Sequence, residues 1–493
     1  MTSIVTIGVL LAAAPPAAPA KTYALIVANN TSLMASRPAL QFADDDGVRY
    51  AELFGLEADS VKLYTVLDRD TQGLYPELAA ETEPPRKAAV LDGARSLFAA
   101  MRADVVAGIR VVFYFVFSGH GDVGEDGEGY VHFLDAPFSR RDLFEQVVAA
   151  SPATVNHLII DACNAYVMVA ARGAQARPAG DYSSLIRELV GKQQLAAYPN
   201  TGVILSTSSA AEVHEWGRIE AGIFSHELRS ALAGAADANG DGQIDYGEVA
   251  AFIAAANGAL PDPKTRLTVF AAAPAQNLAE PVFAAPGRGA RLEVPKAWAG
   301  RYYLEDDRGR RFADFNKQHQ TPLALTLVPR PHYFLRSDAV EYRVDPAADG
   351  SVIAAGSLAG RSPTLAARGS ANDAFERYLF AIPFGPEFVT GFRQAQLSAT
   401  LSPAVVEVMV PGSALRPWRY GTLAAGGTLA VASGVLELWA RVAAADYRDA
   451  AGSPDQLADK RARAEAMHTL AMLSGGVSVI SLGAAAVLSW LDP

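Results

Sequence analysis

The sequence predicts an α/β protein built around a mainly parallel sheet, and three observations support this fold class. Short apolar runs rich in β-branched residues alternate with longer segments of helical spacing through the first half of the chain. Two of the runs, residues 111–117 and 157–161, are apolar across their centres, as in parallel strands covered on both faces. The chain has 493 residues, which is too long for one ordinary core and indicates further domains.

The first predicted domain covers residues 21–284, and its elements follow a strand–helix–strand order. In chain order they are strand 22–28, helix 43–54, strand 61–67, helix 86–101, strand 110–117, hairpin arm 130–134, helix 139–150, strand 157–161 and strand 202–207. Crossover helices return the chain to the same end of the sheet, so this order predicts parallel neighbours.

Two of these strands lead into reactive side chains. His120 follows the run 111–117, and Cys163, the single cysteine of the chain, follows the run 157–161. Parallel strands end at the carboxyl edge of a sheet, where such folds bind ligands, so the thiol can act as nucleophile and the imidazole can transfer protons. Gly121 lets the backbone turn beside the imidazole and is the expected turn and oxyanion residue. Each of the two residues taken alone is more often structural, but their shared position favours a catalytic pair.

These residues resemble the caspase and metacaspase superfamily of cysteine peptidases. The similarity lies in Ser118-Gly119-His120-Gly121 and Asp161-Ala162-Cys163-Asn164-Ala165, with support from segments 23–29 and 43–47, and it spans about residues 21–273. It implies a caspase-like α/β/α sandwich, a His–Cys dyad and cleavage of peptide bonds in proteins or peptides. Asp161 stands where animal caspases carry glutamine, as in the metacaspase-like branch, whereas Asn164-Ala165 replaces the usual His-Ser-Gly of that branch. We therefore expect a cysteine endopeptidase, and a catalytically silent binding or scaffolding protein is the alternative.

Acidic residues near the dyad favour substrates with a basic side chain before the scissile bond. Asp161 lies two residues before Cys163, so along a strand both side chains point to the same side. In metacaspase-like relatives, the matching aspartate lines a pocket for arginine or lysine. The group Asp44-Asp45-Asp46, with Asp45 as its chosen member, is expected to add a second acidic wall, and Glu212 and Glu215 to add more. The alternative is that these acids are solvated or cap helices.

Residues 237–248 match a calcium-binding EF-hand loop. Oxygen-bearing side chains occupy loop positions one, three, five, nine and twelve, while glycine occupies position six and isoleucine position eight. Segments 225–235 and 248–257 flank the loop with helical apolar spacing. The expected Ca²⁺ ligands are Asp237, Asn239, Asp241, Gln243, Asp245 and Glu248.

A second module is predicted from the change of sequence pattern after residue 284. Between residues 285 and 415, short alternating runs are separated by turn clusters, which predicts a small β-sandwich-like module. It contains no group of residues that points to chemistry. Binding of a partner and a spacer role are both open.

Both ends of the chain are expected to direct it to a bacterial cell envelope. Residues 1–20 have the apolar centre and small-residue end of a cleaved signal peptide, with a disordered leader as the alternative. Within residues 416–493, segments about 420–440 and 468–491 are apolar enough to span a bilayer, and basic residues between them favour a cytoplasmic loop. The expected protein is therefore anchored in the inner membrane with its catalytic domain outside the cytoplasm. A net charge of −11 without a basic cluster excludes nucleic acid as an expected partner.

Overall fold

The computed structural model of the protein describes residues 20–125, 127–162, 165–168, 195–207, 215–261, 266–284, 288–347, 349–363 and 374–401. In chain order, the strands described before residue 285 are β1 (Ala20–Asn29), β2 (Ser60–Tyr64), β3 (Arg110–Gly119), β4 (Gly121–Val123), β5 (Gly129–His132), β6 (Pro137–Ser139), β7 (Val155–Asp161), β8 (Thr201–Thr207), β9 (Glu215–Trp216), β10 (Ala221–Gly222), β11 (Gln243–Asp245), β12 (Thr268–Ala272) and β13 (Pro281–Ala284). The α-helices described there are α1 (Ala43–Phe54), α2 (Arg69–Leu74), α3 (Pro76–Ala79), α4 (Lys87–Val106), α5 (Ile223–Ser230) and α6 (Tyr246–Asn257).

A six-stranded sheet forms the centre of the fold. Its strand order is β12-β8-β7-β3-β1-β2, and every neighbouring pair is parallel except β12 and β8. The predicted α/β class with a mainly parallel sheet is therefore confirmed. Helix 43–54 has the predicted bounds, whereas α4 continues five residues beyond the predicted end at residue 101. Segment 139–150 forms a π-helical stretch at Asp142–Val148 instead of a regular α-helix.

The alternation of side chains along β1 and β3 separates two apolar layers. Ile26 and Tyr114 pack with α1 on one face, while Leu25 and Phe113 pack with α4 on the other. Helix α1 approaches β1 closely because Gly47 has no side chain. A Cβ at this position would lie 2.5 Å from the Cβ of Ala28. This contact fixes the acidic start of α1 against the end of β1.

A small antiparallel sheet, β4-β5-β6, begins directly after the long strand β3. The predicted hairpin arm corresponds to β5, which pairs with β4 and β6. His120 is the single residue between β3 and β4. It therefore lies where the chain passes from the central sheet into the hairpin sheet.

The segment after residue 284 contains two sheets and two helices among its described residues. Its strands are β14 (Ala290–Val294), β15 (Gly300–Asp306), β16 (Arg311–Lys317), β17 (Leu323–Leu327), β18 (Tyr333–Arg336), β19 (Glu341–Val344), β20 (Val352–Ala354) and β21 (Gly360–Arg361). The sheet orders are β17-β14-β20 and β16-β15-β18-β19-β21. The helices are α7 (Ala374–Tyr378) and α8 (Pro386–Leu401).

The predicted all-β character of this module is incomplete, because α8 packs against α6 of the first domain. Phe388 and Phe392 are four residues apart, so they share one face of α8, and both contact the large apolar core. That core also joins Phe54 of α1 to Leu304 and Phe315 of the β-rich module. The predicted boundary at residue 284 therefore crosses a continuous core.

The predicted signal segment, apart from Ala20, and the two predicted membrane spans lie outside the described residues. Within the part of the chain that the structure describes, no helix has the length and apolar character needed to cross a bilayer.

Candidate active site

Strands β3 and β7 are neighbours and end side by side at the carboxyl edge of the sheet. Their parallel register pairs Ser118 with Asp161. In the sequence, His120 follows Ser118 by two residues, and Cys163 follows Asp161 by two residues. Cys163 lies outside the described residues, so the structure gives the surroundings of the predicted dyad from the histidine side and from Asp161.

The backbone before His120 requires glycine. A Cβ at Gly119 would lie 2.8 Å from the carbonyl oxygen of Asn29 and 2.9 Å from the ring of Phe117. Any larger residue would push β3 away from the end of β1 or displace the aromatic ring. Gly121 starts β4 opposite Val131, and its carbonyl accepts a hydrogen bond from Nη1 of Arg37 at 3.2 Å.

The imidazole of His120 is held at one nitrogen and is without a partner at the other. Its Nε2 lies 3.1 Å from the carbonyl oxygen of Pro38, and the side chain is 1% exposed. A carbonyl oxygen only accepts hydrogen bonds, so the neutral ring carries its proton on Nε2 and donates it to Pro38. Nδ1 is then an acceptor, and it is buried without a partner among the described residues.

Burial also sets the charge of His120. The pKa of its imidazole is lowered to about 4, mainly by desolvation and also by the nearby cation Arg37 and the neighbouring His132. The Pro38 carbonyl and the carboxylate of Asp122 act in the opposite direction but are weaker. His120 is therefore neutral at physiological pH, which suits a group that must first accept a proton.

A second histidine, His132, lies beside His120. The two ring centres are 5.9 Å apart, and His132 also stacks on Tyr130 with ring centres 5.3 Å apart. The backbone N–H of Leu33 donates to Nδ1 of His132 at 3.0 Å. Loop 30–40 thus contacts both imidazoles.

Asp161 shares the acidic side of the site with Asp46 of α1. The hydroxyl of Ser225 donates to Asp161 Oδ2 at 2.7 Å, and the backbone N–H of Gly222 donates to Asp46 Oδ2 at 2.9 Å. A Cβ at Gly222 would lie 3.0 Å from the Asp46 oxygen and 3.2 Å from the Asp161 oxygen, so the two carboxylates flank this residue. Burial raises the pKa of both carboxyl groups.

The two carboxylates differ in their cationic partners. Nη2 of Arg229 contacts Asp46 Oδ1 at 2.9 Å, and both side chains are buried. Asp161 has no ion pair within the described residues, and its side chain is partly exposed. Asp161 is therefore the carboxyl group of the two without a direct ion pair in the described ranges, and Arg229 acts on it only at longer range.

Asp45 is placed differently from the sequence-based expectation of an acidic pocket wall. Its carboxylate contacts Arg310 of the β-rich module at 2.8 Å and Thr71 Oγ1 at 3.1 Å. Successive helix residues point in different directions, so Asp45 faces the module while Asp46 faces Asp161. The structure therefore brings Asp46, and not Asp45, to the predicted pocket.

The remaining predicted acids have separate outcomes. Glu215 accepts hydrogen bonds from the backbone N–H groups of Gln41 and Phe42, so it caps the start of α1. This is the capping role that the sequence analysis gives as the alternative to a pocket wall. Glu212 lies outside the described residues.

The predicted calcium loop connects a helical segment to α6. Asp237 accepts hydrogen bonds from the backbone N–H groups of Gly240, Asp241 and Gly242, while Asp245 and Glu248 form a capping box at the start of α6. Gly240 and Gly242 adopt φ angles of +75° and +79°, which only glycine adopts without strain.

The donor set of this loop suits a hard cation, although the described residues do not form a preassembled metal site. The side-chain donors are carboxylate and amide oxygens, as Ca²⁺ requires. No group of three or more His, Cys, Asp or Glu side chains in the described ranges is arranged to hold a metal ion. Glu248 instead caps the backbone, and burial raises the pKa of its carboxyl group to about 7.

Three residues of this site are absent from the sequence-based prediction: Pro38, His132 and Arg229. Pro38 acts through its backbone carbonyl, which no side-chain pattern reveals. Asp46 lies in the same acidic run as Asp45 and could have been selected from the helical rotation of 100° per residue, if the orientation of α1 had been known. His132 could have been found by counting the hairpin register from His120.

The comparisons with known proteins give little further information. No protein-family model and no curated protein matches the chain. Among solved structures, the chain is similar to a crystal structure of protein GSU0716 from Geobacter sulfurreducens, with 15% sequence identity and a TM-score of 0.31. This similarity covers 54% of the present chain and 99% of the other chain.

Proposed function

We propose that the protein is a caspase/metacaspase-like cysteine endopeptidase with a caspase-like α/β/α sandwich fold. Cys163 is the nucleophile and His120 is the general base and acid. The observation that carries the proposal is the state of His120: Nε2 is tied to the Pro38 carbonyl, which leaves an unprotonated Nδ1 at the sheet edge. The Ser118–Asp161 register supports the pairing, since His120 and Cys163 each follow by two residues, a reach of about 7 Å at most.

The proposed reaction uses these groups in order. His120 Nδ1 accepts the thiol proton of Cys163, and the thiolate sulfur attacks the carbonyl carbon of the scissile peptide bond. The backbone near Gly121 receives the developing oxyanion. The imidazolium then gives the proton to the leaving amine as the carbon–nitrogen bond breaks. Water, activated by the same imidazole, hydrolyses the thioester and regenerates the thiol.

We further propose that the peptidase prefers arginine or lysine before the cut. The support is electrostatic: Asp161 carries a carboxylate with no direct ion pair in the described part of the chain, and a cationic side chain pairs with it favourably. Asp46 contributes less charge to an incoming side chain because Arg229 already neutralises it.

The dyad is tested by substitution in the full-length protein. Cys163→Ala and His120→Ala should each reduce cleavage of an arginine-containing peptide library to background, and the double variant should be no worse than either single variant. His157→Phe provides a control, because it alters a buried histidine away from the sheet edge. Full cleavage by Cys163→Ala would assign the activity elsewhere. Absence of cleavage by the wild-type protein would favour the alternative, a silent binding or scaffolding protein.

We also propose a structural Ca²⁺ ion at loop 237–248, held by Asp237, Asn239, Asp241, the Gln243 carbonyl, Asp245 and Glu248. Its support is the oxygen donor set and the glycine conformations of the loop. Saturating Ca²⁺ should raise Tm by about 5 °C relative to chelator, because the ion binds the folded state alone. Glu248→Gln should remove most of this rise, whereas Glu293→Gln, in the same surface cleft but outside the loop, should retain it. Equal Tm values with Ca²⁺ and chelator would exclude the site.

The proposed location is the bacterial inner membrane, with the catalytic domain outside the cytoplasm. Its support is the sequence of segments 1–20, 420–440 and 468–491. Membrane fractionation followed by protease treatment of spheroplasts tests it. Recovery of the chain in the soluble cytoplasmic fraction would contradict the proposal.

A further inference from the structure

His120 and His132 form a cross-strand pair within the hairpin sheet. Gly121 pairs with Val131, and the N–H of His132 donates to the carbonyl of His120 at 2.9 Å, so the two histidines lie directly opposite each other. Side chains opposite each other in an antiparallel ladder project from the same face of the sheet. Neither histidine is more than 1% exposed. The dyad chemistry described above gives no role to His132.

One loop fixes the proton positions of both rings. The Pro38 carbonyl accepts from Nε2 of His120, and the Leu33 N–H donates to Nδ1 of His132. An amide N–H only donates, so Nδ1 of neutral His132 must be a lone pair and its proton must be on Nε2. The same tautomer follows for His120 from the Pro38 contact. Loop 30–40 therefore selects one tautomer of each ring.

The two ring nitrogens that take no part in these loop contacts have opposite hydrogen-bonding capacity. Nδ1 of His120 is an acceptor and Nε2–H of His132 is a donor, and both are buried without a partner in the described ranges. An unsatisfied buried donor or acceptor costs about 1–3 kcal/mol. The ring centres are 5.9 Å apart, and the chemistry proposed for His120 requires its acceptor to be free.

We propose that His132 is a positioning residue for His120. It anchors the loop whose Pro38 carbonyl accepts from Nε2 of His120, and this contact keeps His120 Nδ1 as a lone pair ready to accept a proton. It also presents a donor on the same face of the hairpin. The functional part of this inference rests on the proposed role of His120 as general base. The structural part, that His132 determines the tautomer of His120, does not.

The surroundings of the pair explain why His132 must be neutral. The charged groups that act on the two rings are Arg37 and Asp122, His132 also acts on His120, and the Tyr130 ring stacks on His132. Burial and Arg37 lower the pKa of His132, while Asp122 opposes this effect. A proton on Nδ1 of His132 would face the Leu33 N–H, so two donors would meet and the loop contact would be lost.

Two substitutions separate the halves of this role. Asparagine places its amide oxygen near the position of imidazole Nδ1, so His132→Asn keeps an acceptor for Leu33 and removes the donor near His120. Glutamine reaches the position of Nε2, so His132→Gln keeps a donor amide and loses the loop acceptor. His132→Phe removes both groups and retains a ring that can stack on Tyr130.

The primary readout is ¹⁵N NMR of the imidazoles in histidine-labelled full-length protein. Wild-type His120 should show one neutral tautomer, protonated on Nε2, at neutral pH. His132→Phe should give a mixture of both tautomers, with smaller admixtures in His132→Asn and His132→Gln. The pH profile for alkylation of the single cysteine provides a second readout, and its rate at neutral pH should fall about tenfold in His132→Phe.

The control is the same replacement at another buried histidine. His157 stacks on Tyr114 with ring centres 4.7 Å apart, so His157→Phe tests the general effect of losing a buried imidazole. It should alter stability and leave the His120 signals unchanged. An unchanged single His120 tautomer in His132→Phe would overturn the inference. If that variant does not fold, His132→Gln carries the same test, because it loses the loop acceptor and keeps a polar side chain.

The outcomes also distinguish this inference from the proposed function. A wild-type protein that cleaves no peptide, but whose His120 tautomer depends on His132, would contradict the peptidase and support the positioning role. If cleavage requires His120 and Cys163 but proceeds at the wild-type rate in all three His132 variants, the positioning role alone is contradicted.

Discussion

At the scale of single residues, charge on Asp161 should determine the preference for basic substrates. The Ser225 hydroxyl can donate to an asparagine oxygen as it does to Asp161, so Asp161→Asn removes charge with little change in shape. The ratio of cleavage rates for peptides with arginine and with the neutral isostere citrulline before the cut should fall about tenfold to a hundredfold, because the cationic side chain loses its carboxylate partner.

Asp45→Asn is the matched control for this measurement. Its carboxylate contacts Arg310 and not the pocket, so the arginine-to-citrulline ratio should be unchanged. An undiminished ratio in Asp161→Asn, or an equal loss in Asp45→Asn, would contradict the assignment of the pocket.

A second residue-scale prediction concerns acid stability and His157. Its Nδ1 lies 2.6 Å from the Tyr246 hydroxyl, and burial, assisted by Arg110, lowers its pKa to about 3. The unfolded-state pKa is about 6.5, so between these values the unfolded chain binds a proton that the folded chain does not. The free energy of unfolding must therefore fall as pH decreases below about 6.5.

His157→Phe removes this contribution. Between about pH 6.5 and 5, the wild-type protein should lose about 2 kcal/mol more stability than the variant, as measured by urea unfolding of both proteins at each pH. Parallel loss in the two proteins would show that His157 becomes protonated without unfolding. The other buried histidines, with lowered pKa values of their own, contribute equally to both proteins and cancel.

The sequence identified His120 and Asp161 because both end apolar runs, and strand ends can be recognised from a pattern. It placed Asp46 in the acidic group 44–46 but selected Asp45 from that group, and it did not identify His132. The choice between Asp45 and Asp46 depends on the rotation of α1 about its axis, which Gly47 sets by its contact with Ala28. The choice of His132 depends on hairpin register, which the turn between β4 and β5 determines.

At the scale of elements, close backbone contacts should make certain glycines indispensable. Gly234 ends the helical segment before the calcium loop with φ +124°, and a Cβ there would lie 2.1 Å from the carbonyl oxygen of Ala324 in β17. Gly234→Ala therefore combines backbone strain with a clash against rigid backbone, and should lower the free energy of unfolding by about 2–3 kcal/mol or more.

Gly73 in α2 supplies the control for the Gly234 substitution. A Cβ at this position meets no atom within 4 Å, and alanine loses less backbone entropy on forming a helix. Gly73→Ala should stabilise the protein by about 0.5–1 kcal/mol. Denaturant unfolding measures both variants, and similar effects of the two substitutions would contradict the argument from local contacts.

Helices and strands were predicted correctly where the spacing of apolar residues fits one kind of element, and incorrectly where the spacing fits more than one. Strands of the central sheet were found because their apolar runs are short and rich in β-branched residues. Helix α8 was not predicted, because its residues follow a long segment with the alternating pattern of β-strands and were assigned to the same β-rich module. The π-helical form of Asp142–Val148 depends on one additional residue in a turn, which hydrophobic spacing does not resolve.

At the scale of the whole molecule, the contacts show that the first domain and the β-rich module are not independent. Ion pairs join them: Arg310 contacts the buried Asp45 of α1 and the more exposed Glu220 before β10, and Arg330 contacts Glu52 of α1. The apolar core continues through the same interface. A sequence boundary inferred from a change in strand pattern cannot reveal such an interface, because long-range pairs leave no local periodicity.

We therefore expect residues 20–401 to unfold in one cooperative transition that Arg310 supports. Arg310→Met leaves the buried carboxylate of Asp45 with the more distant Arg49, 3.7 Å away, and should lower the free energy of unfolding by about 3 kcal/mol. Because both parts share the core, calorimetry should show a single peak at lower Tm and not an early peak for the module alone.

Arg343→Met, which removes an exposed pair with Asp345, should change stability by less than about 1 kcal/mol. Adding Asp45→Asn to Arg310→Met should recover part of the loss, since it removes the unpaired buried charge. Two separate transitions in the wild-type protein would contradict the shared core, and an equal effect of the Arg310 and Arg343 substitutions would contradict the role of the buried ion pair.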